Sequence, residues 1–426
     1  MIKKQEKGSV MNKAFRYPGE FEPQDAVCVN WVADQYAAEG YDAHAVFVDV
    51  IKNLADHVQV YVNCGVEGTL STCKEKLANA GVDTDKIVFT QFEDTLNWAR
   101  DYGPDVLVDD KGGKLLVNQN FSTYAQETPE HKEASDARKC GVHQGIAMGI
   151  YDIVNSDLVS EGGDKEFNGN GVLMTIESTE VDSRNPQFTK QQVEDEYKKL
   201  FNVQEVIWLP APTYEDEEIY NGPLDVIDGV AWYRSLSANG HIDEMARFVG
   251  PHTILLAEVT DEEAANLTSM AITKERLDVA YDILKDARDV DGTPMEIIRI
   301  PVPEPMELVA KPGDYIYDLW MDYKEVEGIG DTLRDGSPFP YGDELNLVAA
   351  ASYANFLICN DIVLGQRYYR EGMDEKVREK DERMEAILNE VFPDRKVVMI
   401  DAVALNVLGG GVHCITKNVA ASIEKA

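Results

Sequence analysis

The sequence predicts an α/β fold, because segments with helical spacing of apolar residues are repeatedly followed by short segments that alternate as strands do. The chain has 426 residues, of which 44% are hydrophobic, so it contains enough apolar material for a large folded core. The sequence shows no Ser/Gly-rich linker, low-complexity tract or long charge run. We therefore expect one large domain.

The first predicted unit is a helix over 43–57 that leads into a strand over 58–62. The second is a helix over 69–80, which Gly81 ends, followed by a strand over 86–90. Later units repeat this order, with helices and strands at 190–201 and 205–209, 274–286 and 295–300, and 375–391 and 396–400. No sequence identity between the copies is visible, so the order of elements alone suggests a repeat.

Two segments depart from this pattern. Residues 1–14 are polar, and we expect them to form a disordered extension before a single domain that spans 15–426. Residues 301–342 are rich in proline, show little periodicity and are too long for an ordinary connector. This segment is interpreted either as a lid over a site or as an irregular surface excursion packed by its aromatic residues, which include Tyr315, Tyr317, Trp320 and Tyr323.

The chain is strongly acidic, with 40 lysines and arginines against 77 aspartates and glutamates and a formal net charge of −37. Nucleic acids and anionic membranes are therefore poor partners, because binding to them depends on Lys and Arg. The acidity is compatible with solubility alone and also with a cationic substrate. Because no apolar run reaches the length of a signal peptide or a bilayer-spanning helix, we expect a cytoplasmic protein.

One of six cysteines draws attention as a possible nucleophile. The six show no C-x-x-C and no zinc-knuckle spacing, and we expect reduced thiols. Cys414 follows Gly409–Gly411, and consecutive glycines are kept where φ is unusual or a group approaches the backbone closely. Cys414 is therefore either a buried structural thiol or a nucleophile that this loop presents. We expect a structural role for His413, whose side chain would point away from Cys414 in an extended segment.

A partner for the thiol is predicted at 239–248, where an Asn-Gly turn opens an alternating strand. His241 and Asp243 would share one face of that strand, and the carboxylate would favour the protonated imidazole. A protonated histidine suits both a thiolate and a leaving amine. The alternative is that His241 caps a turn and Asp243 accepts hydrogen bonds from the backbone.

Two further loops carry acids, with Asp101 near Trp98 in one and Glu161 near Asp164 in the other. Each loop alone could be a solvated turn, and Arg100 with Asp101 could be a surface pair. No H-E-x-x-H or EF-hand spacing supports a metal site, and none is expected. Several carboxylates beside a thiol and an imidazole suit a guanidinium, whose N–H groups pair with carboxylates and whose face Trp98 could cover.

These residues resemble the agmatine deiminases and the bacterial, Porphyromonas-type peptidyl-arginine deiminases of the guanidino-group-modifying (pentein) superfamily. The resemblance runs from about Tyr17 through eight ordered motifs: 18–23, 98–104, 161–163, 184–186, 206–210, 239–243, 352–356 and 409–416. It implies a five-bladed α/β propeller of ββαβ modules around a central active site. It implies no cofactor and no metal, and a homo-oligomer is a possibility because family members often form them.

By this resemblance, Cys414 is the nucleophile, His241 is the general acid and base, and Asp101, Glu161 and Asp243 hold the guanidinium. Further substrate-binding residues are predicted to be Trp98, Arg100, Gly410 and Gly411. The implied reaction hydrolyses agmatine to N-carbamoylputrescine and ammonia through a cysteine amidino-thioether, on the way to putrescine in polyamine biosynthesis. The alternatives are the same deimination of free arginine or peptidyl-arginine, amidino transfer to an amine, and a non-catalytic cation-binding protein.

Departures from the family pattern concern the distal end of the substrate. The sequence at 118–124 replaces a Phe-Asn-x-Trp-Gly stretch and lacks its tryptophan, while Lys417 and Asn418 stand where Gln and Pro residues usually follow Cys-Ile-Thr. Agmatine, free arginine and a peptide need different distal walls. An arginine substrate would need a clamp for its carboxylate, for which the candidates are Arg234, Arg334 and Arg367.

Overall fold

A computed structural model describes residues 15–38, 40–342 and 344–422, and the extension predicted at 1–14 lies outside the described residues. The helices are α1 Ala43–Leu54, α2 Thr69–Asn79, α3 Ala99–Tyr102, α4 Lys132–Ala147, α5 Lys190–Phe201, α6 Asp261–Asn266, α7 Thr268–Leu284, α8 Tyr315–Val326, α9 Glu375–Val391 and α10 Val403–Asn406.

The strands follow the same chain order and are mostly short. They are β1 Gln24–Asn30, β2 Ala37–Ala38, β3 Tyr41–Asp42, β4 Gln59–Asn63, β5 Val88–Thr90, β6 Asp105–Val108, β7 Lys114–Asn120, β8 Ile153–Val159, β9 Glu166–Phe167, β10 Val172–Ile176, β11 Glu205–Leu209, β12 Asp225–Ile227, β13 Val230–Arg234, β14 Ala246–Gly250, β15 Thr253–Glu258, β16 Glu296–Pro301, β17 Glu307–Ala310, β18 Leu345–Val348, β19 Leu357–Cys359, β20 Ile362–Arg367, β21 Lys396–Asp401 and β22 Thr416–Ala420.

Five sheets share one topology, an antiparallel strand pair followed by a helix and a parallel strand. Four of them are continuous in sequence: β6-β7-α4-β8, β9-β10-α5-β11, β14-β15-α7-β16 and β19-β20-α9-β21. The fifth joins distant parts of the chain, because β22 pairs antiparallel with β1 and β1 pairs parallel with β4 across α1. The α/β class predicted from the sequence is confirmed, and its sheets are mixed.

Local sequence explains why several of these elements fall where the periodicity predicts them. In α5, Thr189 accepts a hydrogen bond from the backbone N–H of Gln192 in a capping box, and Asn202 ends the helix in the left-handed region at φ 55°. Helix α5, strand β11 and helix α9 have the predicted bounds, and β21 extends one residue beyond its predicted end. Amphipathic spacing therefore predicts these elements because one face of each packs on a sheet.

The segment 301–342 is more regular than the sequence suggests, and the expected irregular excursion is wrong for its central part. It contains β17 and α8, and β17 joins β18, β13 and β12 in a further four-stranded sheet. Trp320 of α8 is fully buried, with Tyr220 and Phe339 within ring-packing distance. Its indole N–H donates to the carbonyl oxygen of Arg234 at 3.2 Å. Tertiary packing, which periodicity does not report, orders this segment.

Among the described residues, we find no helix that combines the length and the hydropathy required to cross a bilayer.

The burial of Trp320 predicts that the 301–342 segment contributes to global stability. We expect Trp320→Ala to lower the free energy of unfolding by about 3–5 kcal/mol, because a large aromatic side chain is replaced by a cavity. Val326→Ala on the same helix is the matched control, since Val326 is 51% exposed. Urea denaturation of both variants checks this, and equal midpoints for the two would contradict it.

Candidate active site

Five loops come together in the interior, and each directly precedes the first strand of an antiparallel pair in one of the five repeated sheets. The loops are 98–101 before β6, 161–164 before β9, 241–244 before β14, 352–355 before β19 and 410–414 before β22. Each repeat therefore delivers one loop to a common site. This arrangement brings together Asp101, Glu161, His241, Asp243 and Cys414, which are far apart in sequence.

The glycines before Cys414 are required by close approach of other groups. Gly409 has φ 98°, in the left-handed region that favours glycine. A Cβ on Gly410 would lie 2.8 Å from the ring of Trp98 and 3.1 Å from Cys414 Sγ. A Cβ on Gly411 would lie 2.6 Å from Asn355 Oδ1. The loop thus packs Trp98 and the thiol against bare backbone.

Cys414 is buried among polar groups. Its Sγ accepts a hydrogen bond from Asn355 Nδ2 at 3.0 Å and lies 3.7 Å from Glu244 Oε1 and 4.0 Å from Asp243 Oδ2. Asn355 Oδ1 in turn accepts from the backbone N–H groups of His413 and Cys414. Asn355 therefore fixes both the thiol and its loop. The sequence reasoning did not single out Asn355, although it lies in one of the family motifs.

The surroundings of the Cys414 thiol disfavour its ionised form. Burial raises the pKa of Cys414 well above its ordinary value, and the negative charges of Asp243, Glu244 and Asp101 raise it further. Burial also raises the pKa of Glu244 well above its ordinary range, and the charges of Asp243 and Asp216 add to this. A cation placed among these acids would act in the opposite direction and favour the thiolate.

His241 lies at the centre of four acids. Its Nδ1 is 3.8 Å from oxygens of Asp101 and Asp243, and its Nε2 is 3.7 Å from oxygens of Glu161 and Asp164. Neither ring nitrogen has a hydrogen-bond partner among the described residues. Burial lowers the pKa of His241, but the surrounding carboxylates outweigh burial and raise it well above its ordinary value. The surroundings therefore favour the cationic form of the imidazole.

The predicted strand at His241 is wrong in its local conformation. His241 precedes a short 3-10 turn at Ile242–Glu244, and β14 begins only at Ala246. The backbone N–H of His241 donates to Asp216 Oδ2 at 2.7 Å, and the turn brings the His241 and Asp243 side chains together. The sequence reasoning missed Asp216, because a backbone acceptor 25 positions away leaves no periodic pattern.

Three of the four acids are held by groups outside the cluster. Arg184 Nε donates to Glu161 Oε2 at 2.8 Å, and both side chains are fully buried. Asp101 accepts from the Tyr124 hydroxyl at 2.8 Å and from the backbone N–H of Gly163 at 3.0 Å. Asp243 Oδ2 lies 2.5 Å from His413 Nδ1. These contacts fix the carboxylates before any ligand is bound.

Several acceptors in this cluster remain unpaired. Glu161 Oε1, Asp164 Oδ1 and Asp243 Oδ1 are buried and have no hydrogen-bond partner in the part of the chain that the structure describes. Buried polar atoms are nearly always paired in folded proteins, so unpaired acceptors at one place indicate a ligand that supplies donors. A cation with several N–H groups would supply donors that suit these carboxyl oxygens.

A buried network lies behind Asp243 and contains Arg100. His413 bridges Asp243 and Glu20, with its Nε2 2.6 Å from Glu20 Oε2, and Arg100 and Arg247 approach Glu20 at 3.2 and 3.0 Å. Burial raises the pKa of Glu20, but His413 and the two arginines outweigh it and hold the pKa well below its ordinary value. His413 is structural, as expected, although a turn, not an extended strand, carries it.

The structure assigns Arg100 a different place from the predicted one. Its guanidinium is occupied by Glu20, by the carbonyl oxygen of His413 and by Asn418 Oδ1, and it is buried. The prediction of Arg100 as a substrate-binding residue is therefore wrong, because its donors are already paired with protein acceptors. The alternative of a surface pair with Asp101 is wrong as well.

Two sets of side chains could hold a metal ion by distance alone within this cluster: Glu161, Asp164 and His241, and Asp243, Glu244 and Cys414. In the first set, Glu161 already forms an ion pair with Arg184. The carboxylate oxygens of both sets can also pair with the N–H groups of an organic cation.

The buried thiol, imidazole and carboxylates, carried on repeated α/β units, are the groups of an enzyme-type centre. The chain belongs to the Porphyromonas-type peptidyl-arginine deiminase family, whose model matches residues 16–419. An agmatine deiminase of Pseudomonas aeruginosa (strain LESB58) is 27% identical over 411 residues, which are 95% of each chain.

Solved structures support the fold. An agmatine deiminase of Enterococcus faecalis gives a TM-score of 0.73 at 24% identity, with 98% of this chain and 100% of that chain covered. An agmatine deiminase of C. jejuni gives a TM-score of 0.65 at 17% identity, with 96% and 97% covered. At these identities the likeness concerns the fold, and the site rests on its own geometry.

The Arg184–Glu161 pair predicts a pH-dependent change in stability. The Arg184 charge holds the pKa of Glu161 below its ordinary value against the effect of burial, so the pair stabilises the fold at neutral pH, and this contribution is lost as pH falls through the folded-state pKa. We expect Arg184→Met to lower stability by about 3–5 kcal/mol at neutral pH, because Glu161 is left buried without a partner.

The deficit of Arg184→Met should shrink as pH falls, because a Glu161 with a raised pKa becomes protonated and neutral. Urea denaturation at pH 7 and pH 5 measures this. The double variant Arg184→Met, Glu161→Gln is the matched control and should recover part of the loss. A deficit that is independent of pH and of Glu161 would contradict the role given to this pair.

The thiol environment predicts the effect of a neighbouring charge. We expect Asp243→Asn to lower the pKa of Cys414, because one of the negative charges that disfavour the thiolate is removed. The pH dependence of iodoacetamide alkylation measures this pKa, with Cys414→Ala as the control for other thiols. An unchanged or higher midpoint in Asp243→Asn would show that these charges do not set the thiol pKa.

Proposed function

We propose that this protein hydrolyses the guanidinium group of agmatine, giving N-carbamoylputrescine and ammonia. The observation that carries the proposal is the set of unpaired, buried carboxylate oxygens beside an unpaired imidazole and a thiol. A guanidinium supplies planar N–H donors that pair with such oxygens, and its carbon is an electrophile that a thiolate can attack. The family membership and the agmatine deiminases among the relatives support the same assignment.

In the proposed reaction, guanidinium binding offsets the charges of Asp243, Glu244 and Asp101, and the Cys414 thiol releases its proton to solvent. The Sγ thiolate then attacks the guanidinium carbon and forms a C–S bond. The His241 imidazolium donates its proton to the departing nitrogen, the C–N bond breaks, and ammonia leaves. An amidino-thioether on Cys414 remains.

The second half of the reaction uses water. The neutral His241 removes a proton from water, and the hydroxide attacks the same carbon of the amidino-thioether. The C–S bond breaks and its electron pair returns to Sγ. The new hydroxyl group on the carbon releases its proton to solvent as the carbonyl forms, and the ureido product leaves. Asp101, Glu161 and Asp243 hold the N–H groups of the planar cation throughout. Trp98 is proposed to cover one face of the guanidinium, since it lies against Gly410 next to the thiol.

The occupancy of two arginines favours agmatine over free arginine. Arg234 is buried, with its guanidinium bonded to the carbonyl oxygens of Tyr214 and Gly222. Arg334 forms ion pairs with Glu218 and Glu327. Two of the three candidate clamps for a substrate carboxylate are therefore already paired, while the net charge of −37 favours a substrate that carries a second amine.

We also propose a larger frame for this site. The five sheets of shared topology are the blades of a five-bladed α/β propeller around the central site, and residues 15–426 form one domain. The proposed setting is the cytoplasm, with a homo-oligomeric assembly and a product that feeds polyamine synthesis towards putrescine. The shared topology and the pairing of β22 with β1 support the propeller.

Ammonia release from a substrate panel tests the function. We expect release from agmatine to exceed release from free arginine and from a blocked peptidyl-arginine, and to fall by at least about a thousandfold in Cys414→Ala, because the nucleophile is removed. Circular dichroism and the denaturation midpoint confirm that the variant is folded. A preference for free arginine or peptidyl-arginine would change the assigned substrate. An amidino product that forms only when an acceptor amine is added would indicate amidino transfer.

A further inference from the structure

Tyr124 lies on an unusual turn beside the acid cluster. Thr123, Tyr124 and Ala125 have φ of 46°, 62° and 66°, so three consecutive non-glycine residues occupy the left-handed region. Such residues are rare, most of all for a β-branched side chain such as Thr123, and they persist only where the surroundings impose them. This turn corresponds to the 118–124 stretch that departs from the family pattern.

Local hydrogen bonds maintain the turn. The backbone N–H of Ala125 donates to Ser122 Oγ at 3.1 Å, and the N–H groups of Gln126 and Glu127 donate to the carbonyl oxygens of Thr123 and Ser122, both at 3.1 Å. Thr123 itself is buried. The packed structure therefore imposes this backbone conformation. This turn places the half-buried side chain of Tyr124.

Tyr124 contacts two loops of the site at once. Its hydroxyl donates to Asp101 Oδ2 at 2.8 Å, and its ring centroid lies 5.7 Å from that of His241. Its carbonyl oxygen accepts from Asn239 Nδ2 at 3.1 Å, and Asn239 is itself in the left-handed region at φ 60°. Tyr124 thus joins the loop that carries Asp101 to the loop that carries His241.

We propose that Tyr124 is a positioning residue that keeps Asp101 aimed at the guanidinium, and that the left-handed turn places Tyr124 there. The proposal rests on the proposed function, since it assigns Asp101 to the substrate cation. Asp101 Oδ1 is held by Gly163 N–H, so the Tyr124 hydroxyl is the side-chain donor that fixes the other oxygen.

The Tyr124 hydroxyl affects the pKa of Asp101, which has several charged neighbours. Asp101 faces His241, Asp243, Glu161 and Cys414, besides Tyr124. Burial raises the pKa of Asp101, the His241 charge lowers it, the two acids raise it, and the Tyr124 hydrogen bond lowers it. Without the hydroxyl, the pKa of Asp101 rises further. In an acid titration, Asp101 then becomes protonated at a higher pH than in the wild type, and the negative charge that the proposed function requires is lost earlier.

The test is Tyr124→Phe, which keeps the ring and removes only the hydroxyl. We expect kcat/KM for agmatine to fall by about tenfold at neutral pH, since one hydrogen bond to a charged group is lost. We also expect the acid limb of the kcat/KM profile, which reports the free enzyme, to move to higher pH. In a Cys414→Ala background, calorimetry should show agmatine binding weakened by a similar factor.

Tyr17→Phe is the matched control. Tyr17 is half-buried, and its hydroxyl donates to Asp105 Oδ1 at 2.8 Å, a tyrosine–aspartate hydrogen bond that involves none of the five acids around His241 and Cys414. We expect it to lower the denaturation midpoint without moving the acid limb. If Tyr124→Phe likewise changes only the midpoint, Tyr124 is merely structural and the proposal is overturned.

Failure of the proposed function is recognised separately. Wild-type protein that releases no ammonia from agmatine would refute the function before any variant is compared. An active wild type with an unmoved acid limb and unchanged agmatine affinity in Tyr124→Phe would refute only the role of Tyr124.

Discussion

The burial of several carboxylates around one imidazole and one thiol is the constraint on which the rest of this structure depends. Like charges without water repel strongly, and they are tolerated only where cations and donors compensate them. His241 supplies one positive charge at the centre, and Arg184 supplies another from outside the cluster. Behind Asp243, His413 pairs with both Asp243 and Glu20, and Glu20 also pairs with Arg247. The compensation is incomplete, and the unpaired oxygens define the place for a cationic ligand.

The scaffold meets this constraint by repetition. Five sheets of one topology each place the loop before an antiparallel pair at the same site, so that no single loop has to carry the whole cluster. The pairing of β22 with β1 fixes the Cys414 loop against the N-terminal part of the chain, where Glu20 lies. Mutual support between distant segments explains how strained backbone, such as the turn at Thr123–Ala125, is retained.

The same electrostatics relate binding to chemistry. The acids disfavour the ionised form of the Cys414 thiol and favour the charged form of the His241 imidazole. In the reaction proposed above, the guanidinium that binds here favours the thiolate that attacks it. A site of this kind discriminates against neutral molecules and anions without a steric filter, because only a cation reverses the sign of the local field.

The sequence by itself determined the α/β class and several exact helix and strand bounds, since periodicity is local. It offered Cys414, His241, Asp101, Glu161 and Asp243 as candidates, and the family resemblance assigned their roles. Only the tertiary structure decided the turn at 242–244, the order within 301–342 and the pairing of Arg100. It also revealed Asn355, Asp216, Arg184 and Tyr124 as supports of the site. Arg184 and Asn355 lie within the family motifs, but the contacts of all four residues join parts of the chain that are far apart, and no local pattern records such contacts.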